Sequence, residues 1–185
     1  MTAQDTSSQW LEQSARVRAR MLEGGGKPGI AHPDQTTGMT GLDILQAMLA
    51  GELPYSHIGE TMDFSLIEVT PGTATFQGMP QLKHYNPLGT VHGGWYATLL
   101  DSAVGCAVHT LMPAVRAYTT AELSVNIVRA ASHKSGPLRA IGTVIHCGKQ
   151  LATAEGRIVD AGGKLYAHAT TTCLVFATSG LSQSG

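Results

Sequence analysis

WYATLLDSAVGCAVHTL, residues 95–111, is the stretch whose reading decides the fold. It is an almost unbroken apolar run with one acid, Asp101. It is too long for an ordinary strand and fits a buried helix. Leu99, Leu100, Ala103, Val104, Ala107, Val108 and Leu111 spread around much of the helical circumference, so the cover must be wider than a second helix. A curved sheet meets that requirement. The flanking sequence supplies one: MDFSLIEV (62–69) and TATFQGM (73–79) alternate as strands about a Pro71-Gly72 turn, predicting a hairpin. After Pro113, strands are expected near 116–129, 138–147, 150–159 and 163–176, broken by SGP, GK and AGG turns. One central helix facing about six antiparallel strands is an α+β fold.

Upstream, Trp10, Leu11, Val17, Met21 and Leu22 predict a helix over 8–23 that breaks at Gly24, Gly25 and Gly26. Residues 27–39, rich in Gly, Pro, Asp and Thr, read as a linker. Thr40 or Gly41 then caps a short helix carrying Leu42, Ile44, Leu45, Met48 and Leu49, which ends near Gly51 with Pro54 as a stop. The expected organisation is an N-terminal helical extension and linker (1–57), one α+β domain (58–177) and a tail (178–185). No repeat of fixed period and no low-complexity tract interrupts it.

The chain has 185 residues, a formal net charge of −1 and 14% charged residues. That length allows one core that stands without disulfides or metals. The charge balance offers neither a basic field for nucleic acid nor an acidic tail. Cys106, Cys147 and Cys173 are odd in number, lie in apolar surroundings and show no CxxC spacing, as expected of buried thiols in a reducing compartment. The opening MTAQDTSSQW lacks the basic and apolar pattern of a signal peptide, and no apolar run nears the roughly 20 residues of a membrane span. A soluble cytoplasmic protein with no membrane partner is expected.

The segment Asn86 to Gly94 leads straight into the predicted helix, whose first amides have no intrahelical acceptor. Gly93 and Gly94 would let a ligand oxygen approach the backbone closely, and the helix dipole adds partial positive charge there. An oxyanion hole can be built this way, although an isolated Gly-Gly pair before a helix is more often a plain turn. Asp101 adds weight. A carboxylate on an apolar helix costs several kcal/mol if buried without a partner. It is either bonded to neighbouring backbone or facing solvent, or it is a general base or nucleophile in a cleft. Gly93 and Asp101 are eight residues apart, about 12 Å along one helix, too far to serve one carbonyl. If both act, they come from different subunits across a twofold axis.

HYNPLGTVHGGWYATLLDSAVG, residues 84–105, resembles the signature of hotdog-fold acyl-CoA thioesterases of the phenylacetate-degradation type, and the resemblance covers about residues 58–177. It implies a six-stranded antiparallel sheet wrapped around a long central helix, and a homodimer or homotetramer with shared active sites. It further implies that Asn86 places the substrate or attacking water, that the Gly93 amide polarises the thioester carbonyl, and that Asp101 is base or nucleophile. His92 would orient the loop or bond the thioester region. A hydroxyl after the helix maps onto Thr119 or Thr120, with Thr120 the preferred match. Glu122, two residues on and so expected on the same strand face, is a second acid or a surface charge. The reaction implied is hydrolysis of aryl or short- to medium-chain acyl-CoA. No metal or cofactor is required, coenzyme A being part of the substrate. Its phosphates would meet cations such as Arg129 and Lys134, with Arg139 and Lys149 as further candidates.

Other chemistries fit less well. The eight histidines show neither HxxxH nor HExxH spacing, no GxSxG elbow exists, and GKQ near 148 lacks the preceding glycine of a phosphate loop. Two alternatives stay open: a hotdog-fold dehydratase, which would use a histidine such as His109 with an acid, and a noncatalytic acyl-CoA sensor. Turnover dependent on Asp101 separates the last from an enzyme.

Overall fold

The computed structural model describes residues 2–178. Helix α1 (Ala3–Glu23) starts earlier than its apolar pattern suggests. Thr2 and Asp5 form a reciprocal capping box that holds the polar first turn in helix. The expected linker contains a one-turn helix, α2 (Pro33–Thr36). Helix α3 (Gly41–Ala50) begins at the Thr40–Asp43 capping box and ends on Gly51, whose φ of 81° suits a residue without Cβ. A further short helix, α4 (His57–Met62), takes the residues just ahead of the hairpin, so β1 (Phe64–Thr70) starts two residues later than read from sequence. Asp63, at φ 50°, makes the turn between them.

Strand β2 (Thr73–Gly78) completes the hairpin, and a single 3-10 turn (Leu82–His84) precedes the site loop. The central helix α5 runs Gly93–His109, two residues earlier at both ends than the apolar stretch. Strands β3 (Arg116–Ile127), β4 (Leu138–Cys147), β5 (Leu151–Val159) and β6 (Leu165–Ala177) follow. All pairings are antiparallel in one sheet of order β1-β2-β4-β5-β6-β3, and α5 touches every strand. This is the six-stranded hotdog arrangement implied by the resemblance. Of the tail expected at 178–185, only Thr178 lies within the described residues.

Close approach of the helix to the sheet depends on missing side chains. Gly142 and Gly156 face one another across β4 and β5. A Cβ on Gly142 would drive into the carbonyl of Ala103, and one on Gly156 would sit 2.7 Å from Val104 Cγ1. Gly78 likewise leaves room for the Trp95 indole. Around this trough Leu99, Leu100, Ala103, Val104, Ala107 and Val108 are all fully buried. Leu111, expected to join them, is partly exposed beyond the helix end.

The extension packs on both the edge and the outer face of the sheet. Gln77 and Arg139 are opposite one another in register, between the inward pairs Phe76–Ala140 and Gly78–Leu138, so they point outward. Arg139 donates from Nε to Gln77 Oε1 (3.0 Å) and from Nη2 to Gln13 Oε1 (2.9 Å), and its guanidinium lies 4.3 Å from the Trp10 ring centre. Arg139 is therefore not a free cation for coenzyme A phosphates. It is buried beneath α1 and fastens that helix to the sheet.

Gly142→Ala is expected to lower stability by at least the ~1–3 kcal/mol typical of overpacking, because the obstacle is backbone rather than a movable side chain. The urea midpoint at neutral pH measures it.

Candidate active site

The loop before α5 is organised by Asn86. Its Oδ1 accepts the amides of Leu88 (3.0 Å) and Thr90 (3.2 Å), and its Nδ2 donates to Thr90 Oγ1 (2.9 Å). The backbone closes the same turn, with the Asn86 amide on the Thr90 carbonyl and Gly89 at φ 81°. Asn86 thus shapes the loop that delivers His92 and the glycines. His92 caps α5: its Nδ1 accepts the Gly94 amide at 2.9 Å, and its own amide donates to His84 O at 2.8 Å. With Nδ1 accepting, the imidazole proton lies on Nε2, where the exposed ring can donate outward. Gly94 being engaged, Gly93 is the amide at the helix start that no helical carbonyl can satisfy.

Two buried aromatics hold this end in place. Trp95 donates from Nε1 to Met62 O (2.8 Å) and stacks on His84. The Tyr96 hydroxyl donates to Arg129 O (3.3 Å) and accepts the Ala131 amide (2.6 Å), anchoring the segment after β3. The Tyr85 hydroxyl accepts the His133 amide (2.9 Å) and shares a second hydrogen bond with His133 Nδ1 (3.0 Å), whose direction follows the His133 tautomer. These bonds bring Arg129 and Lys134, both exposed, to the segment beside the site loop. Arg129 also donates to Leu165 O and lies 5.8 Å from the Tyr166 ring centre. Lys149 is exposed at the far side, in the turn between β4 and β5, with its carbonyl taken by Arg116.

Asp101 lies two turns into α5 on the flank the sheet leaves partly open, and Thr120 of β3 donates to its Oδ1 at 3.1 Å. This identifies Thr120 rather than Thr119, which is exposed, as the hydroxyl facing the acid. The expectation that Glu122 shares that face is corrected. A bulge at Ala121 shifts the register, so Thr120 opposes buried Cys173 whereas Glu122 opposes Thr172 and falls on the outer face with Ser124 and Asn126. Gly93 and Asp101 stay eight residues apart on one helix.

Sequence reasoning missed Tyr118, although its place two residues before Thr120 put it on the same face. Its ring rests against Gly105, whose Cβ would stand 2.9 Å from the Tyr118 hydroxyl. Burial raises the Tyr118 phenol well above its ordinary value, with Cys106, Cys173 and Asp101 adding to the shift. The Cys106 thiol is pushed up to about 12 by burial and then by Asp101, so it is no thiolate at neutral pH. His109 stacks obliquely on Tyr118 rather than pairing with the acid. Among the described residues no three His, Cys, Asp or Glu side chains are grouped to hold a metal ion, and no helix is long and apolar enough to cross a membrane.

The six-stranded antiparallel sheet and the long central helix it wraps define a hotdog fold. Residues 88–167, from that loop through the start of β6, match the model of the thioesterase superfamily. Solved structures agree. A phenylacetic acid degradation-related protein from Ralstonia eutropha JMP134 is 26% identical with a TM-score of 0.64, the match covering 70% of this chain and 97% of that one. A single-residue variant of the phenylacetic acid degradation protein PaaI from Thermus thermophilus is 25% identical (TM-score 0.57; 63% and 96% covered). Escherichia coli PaaI shares the fold at 21% identity (TM-score 0.58; 64% and 83% covered). No curated protein sequence matches the chain.

Burial lowers the pKa of both His84 and His109. The unfolded chain therefore binds protons on these residues below about pH 6.5 before the folded chain does, and stability falls with pH there. The urea midpoint is expected to drop between about pH 7 and 5, with a shallower slope in His109→Leu.

Proposed function

We propose that this protein hydrolyses acyl-CoA thioesters to the free acid and coenzyme A. The observation carrying the reading is Asp101, a carboxylate on an otherwise apolar helix, held by the Thr120 hydroxyl. A binding module has no need for it. The Gly93 amide, at the positive end of α5, stabilises the developing oxyanion, and the His92 cap and Asn86 turn fix its direction. Asp101 activates water or attacks the carbonyl, and the thiolate leaves without a strong general acid because its pKa is roughly 8.5, that of a free thiol. Arg129 and Lys134 receive the phosphates. Neither metal nor cofactor enters.

The two groups act on one carbonyl when they come from two copies of the chain. Strand β3 supports this: it is a twelve-residue edge with Ala121, Glu122, Ser124, Asn126 and Ile127 exposed, paired on that side with no strand among the described residues, and an edge of this length is a template for a second strand. Its end also reaches the helix start, where Ile127 Cδ1 would lie 3.2 Å from a Cβ on Gly93.

Asp101→Asn is expected to cut kcat on acyl-CoA by about 10²–10⁴, and Thr120→Val by about 10–100, in assays of released thiol. Unchanged turnover in Asp101→Asn would reject the mechanism. Gly93→Pro removes the one amide from a position where proline is tolerated, His92 already having φ −61° and ψ 139°. It should fold and lose about 10²–10³ in rate. Unfolding and refolding Asp101→Asn together with Gly93→Pro should restore roughly a quarter of wild-type activity, since half the dimers are mixed and each carries one intact site. No recovery would place both groups in one chain's site.

A further inference from the structure

A cavity of about 940 Å³ is enclosed by residues of α1, α3, α4, β1, β2, α5 and β3, and Asp101 is not among its lining residues. Met21, Leu45, Met48, Phe64 and Phe76 give it an apolar lining, and its inner end is closed by Cys106 and His109 of α5 and Tyr118 of β3. Its volume is near the upper end of the ~300–1,000 Å³ usual for small-molecule pockets. Two walls come from α1 and α3, ahead of the segment 88–167 that matches the thioesterase superfamily. The chamber is therefore an addition made by the extension to the shared core.

Through Tyr118 the cavity neighbours the proposed chemistry without including it. Tyr118 and Thr120 share the inward face of β3; Thr120 holds Asp101, and Tyr118 rests on Gly105, one helical turn further on. At the other end, charges on the lining are already matched, Lys83 with Asp63 (3.0 Å) and Arg18 with Glu60 (3.6 Å). The apolar interior thus suits a neutral tail more than an ionised head, and adaptable methionines at positions 21, 48 and 79 suit a flexible one.

We propose that this chamber holds the acyl chain of the substrate, so that the protein selects linear aliphatic acyl groups of medium to long length over aryl or short ones. The proposal rests on the thioesterase reading above for the head group and on the cavity for the tail.

The test combines turnover and binding. Hydrolysis of acetyl-, hexanoyl-, lauroyl-, palmitoyl- and phenylacetyl-CoA would be measured with wild type, Met48→Trp and Leu49→Trp, the two half-buried α3 positions chosen so that one serves where the other fails to fold. Dodecanoate binding would be followed in parallel by displacement of a fluorescent fatty acid. Expected is a rise in kcat/KM of about fourfold per methylene until the chamber is filled, with Trp at 48 or 49 removing the gain for long chains while sparing hexanoyl-CoA. A flat chain-length profile with no dodecanoate binding, or a preference for phenylacetyl-CoA unchanged by both variants, would overturn the proposal and leave the hydrolase reading intact. Dodecanoate binding abolished by the Trp variants, without hydrolysis of any acyl-CoA, would support the chamber as an acyl site and overturn the hydrolase reading.

Discussion

Everything else in this molecule is placed by the close seating of α5 on two glycines at the centre of the sheet. With Gly142 and Gly156 opposed in β4 and β5, the helix backbone around Ala103 and Val104 approaches the sheet where any side chain would hold it away. That seating buries one broad arc of the helix and leaves a narrow flank, which carries Asp101 and Ser102 and ends at Cys106 and His109. A carboxylate survives on so apolar a helix because it lies on that flank, where a hydroxyl from β3 meets it.

The start of the helix follows a complementary logic. Trp95 and Tyr96 are the largest fully buried side chains of the molecule, and each spends its polar atom on neighbouring backbone, Met62 on one side and the 129–131 segment on the other. The glycine loop is thereby clamped from two directions, and a donor aimed at a developing charge gains from being fixed before the reaction. Asn86 commits its Oδ1 and one of its two Nδ2 hydrogens to the turn. These bonds fix the shape of the loop that leads into α5.

The helix, six strands and their turns were legible because each rests on a local pattern: an apolar run too long for a strand, alternation about Pro71-Gly72, breaks at glycine. The threonine that meets the acid came from the family resemblance alone, which left Thr119 and Thr120 both in play and preferred Thr120, the one bonded to Asp101. The features that escaped are those decided across the chain. Residues 57–62 carry no strong apolar period, yet close into α4 beneath the edge of the sheet. The bulge at Ala121 leaves no mark in composition but reverses the face of Glu122. Arg139 reads as a surface cation until α1, more than a hundred positions earlier, is found lying across it.

The two outer strands of the sheet have unequal surroundings. Strand β1 is packed against α1, α3 and α4, whereas none of these helices packs to a comparable extent on β3. A chain with one adhesive margin is monovalent: pairing through it ends with two members and cannot propagate into a ribbon. With the N-terminal helices packed on β1, their deletion is expected to bare a second margin, and a sheet open at both margins can propagate where a sheet open at one cannot.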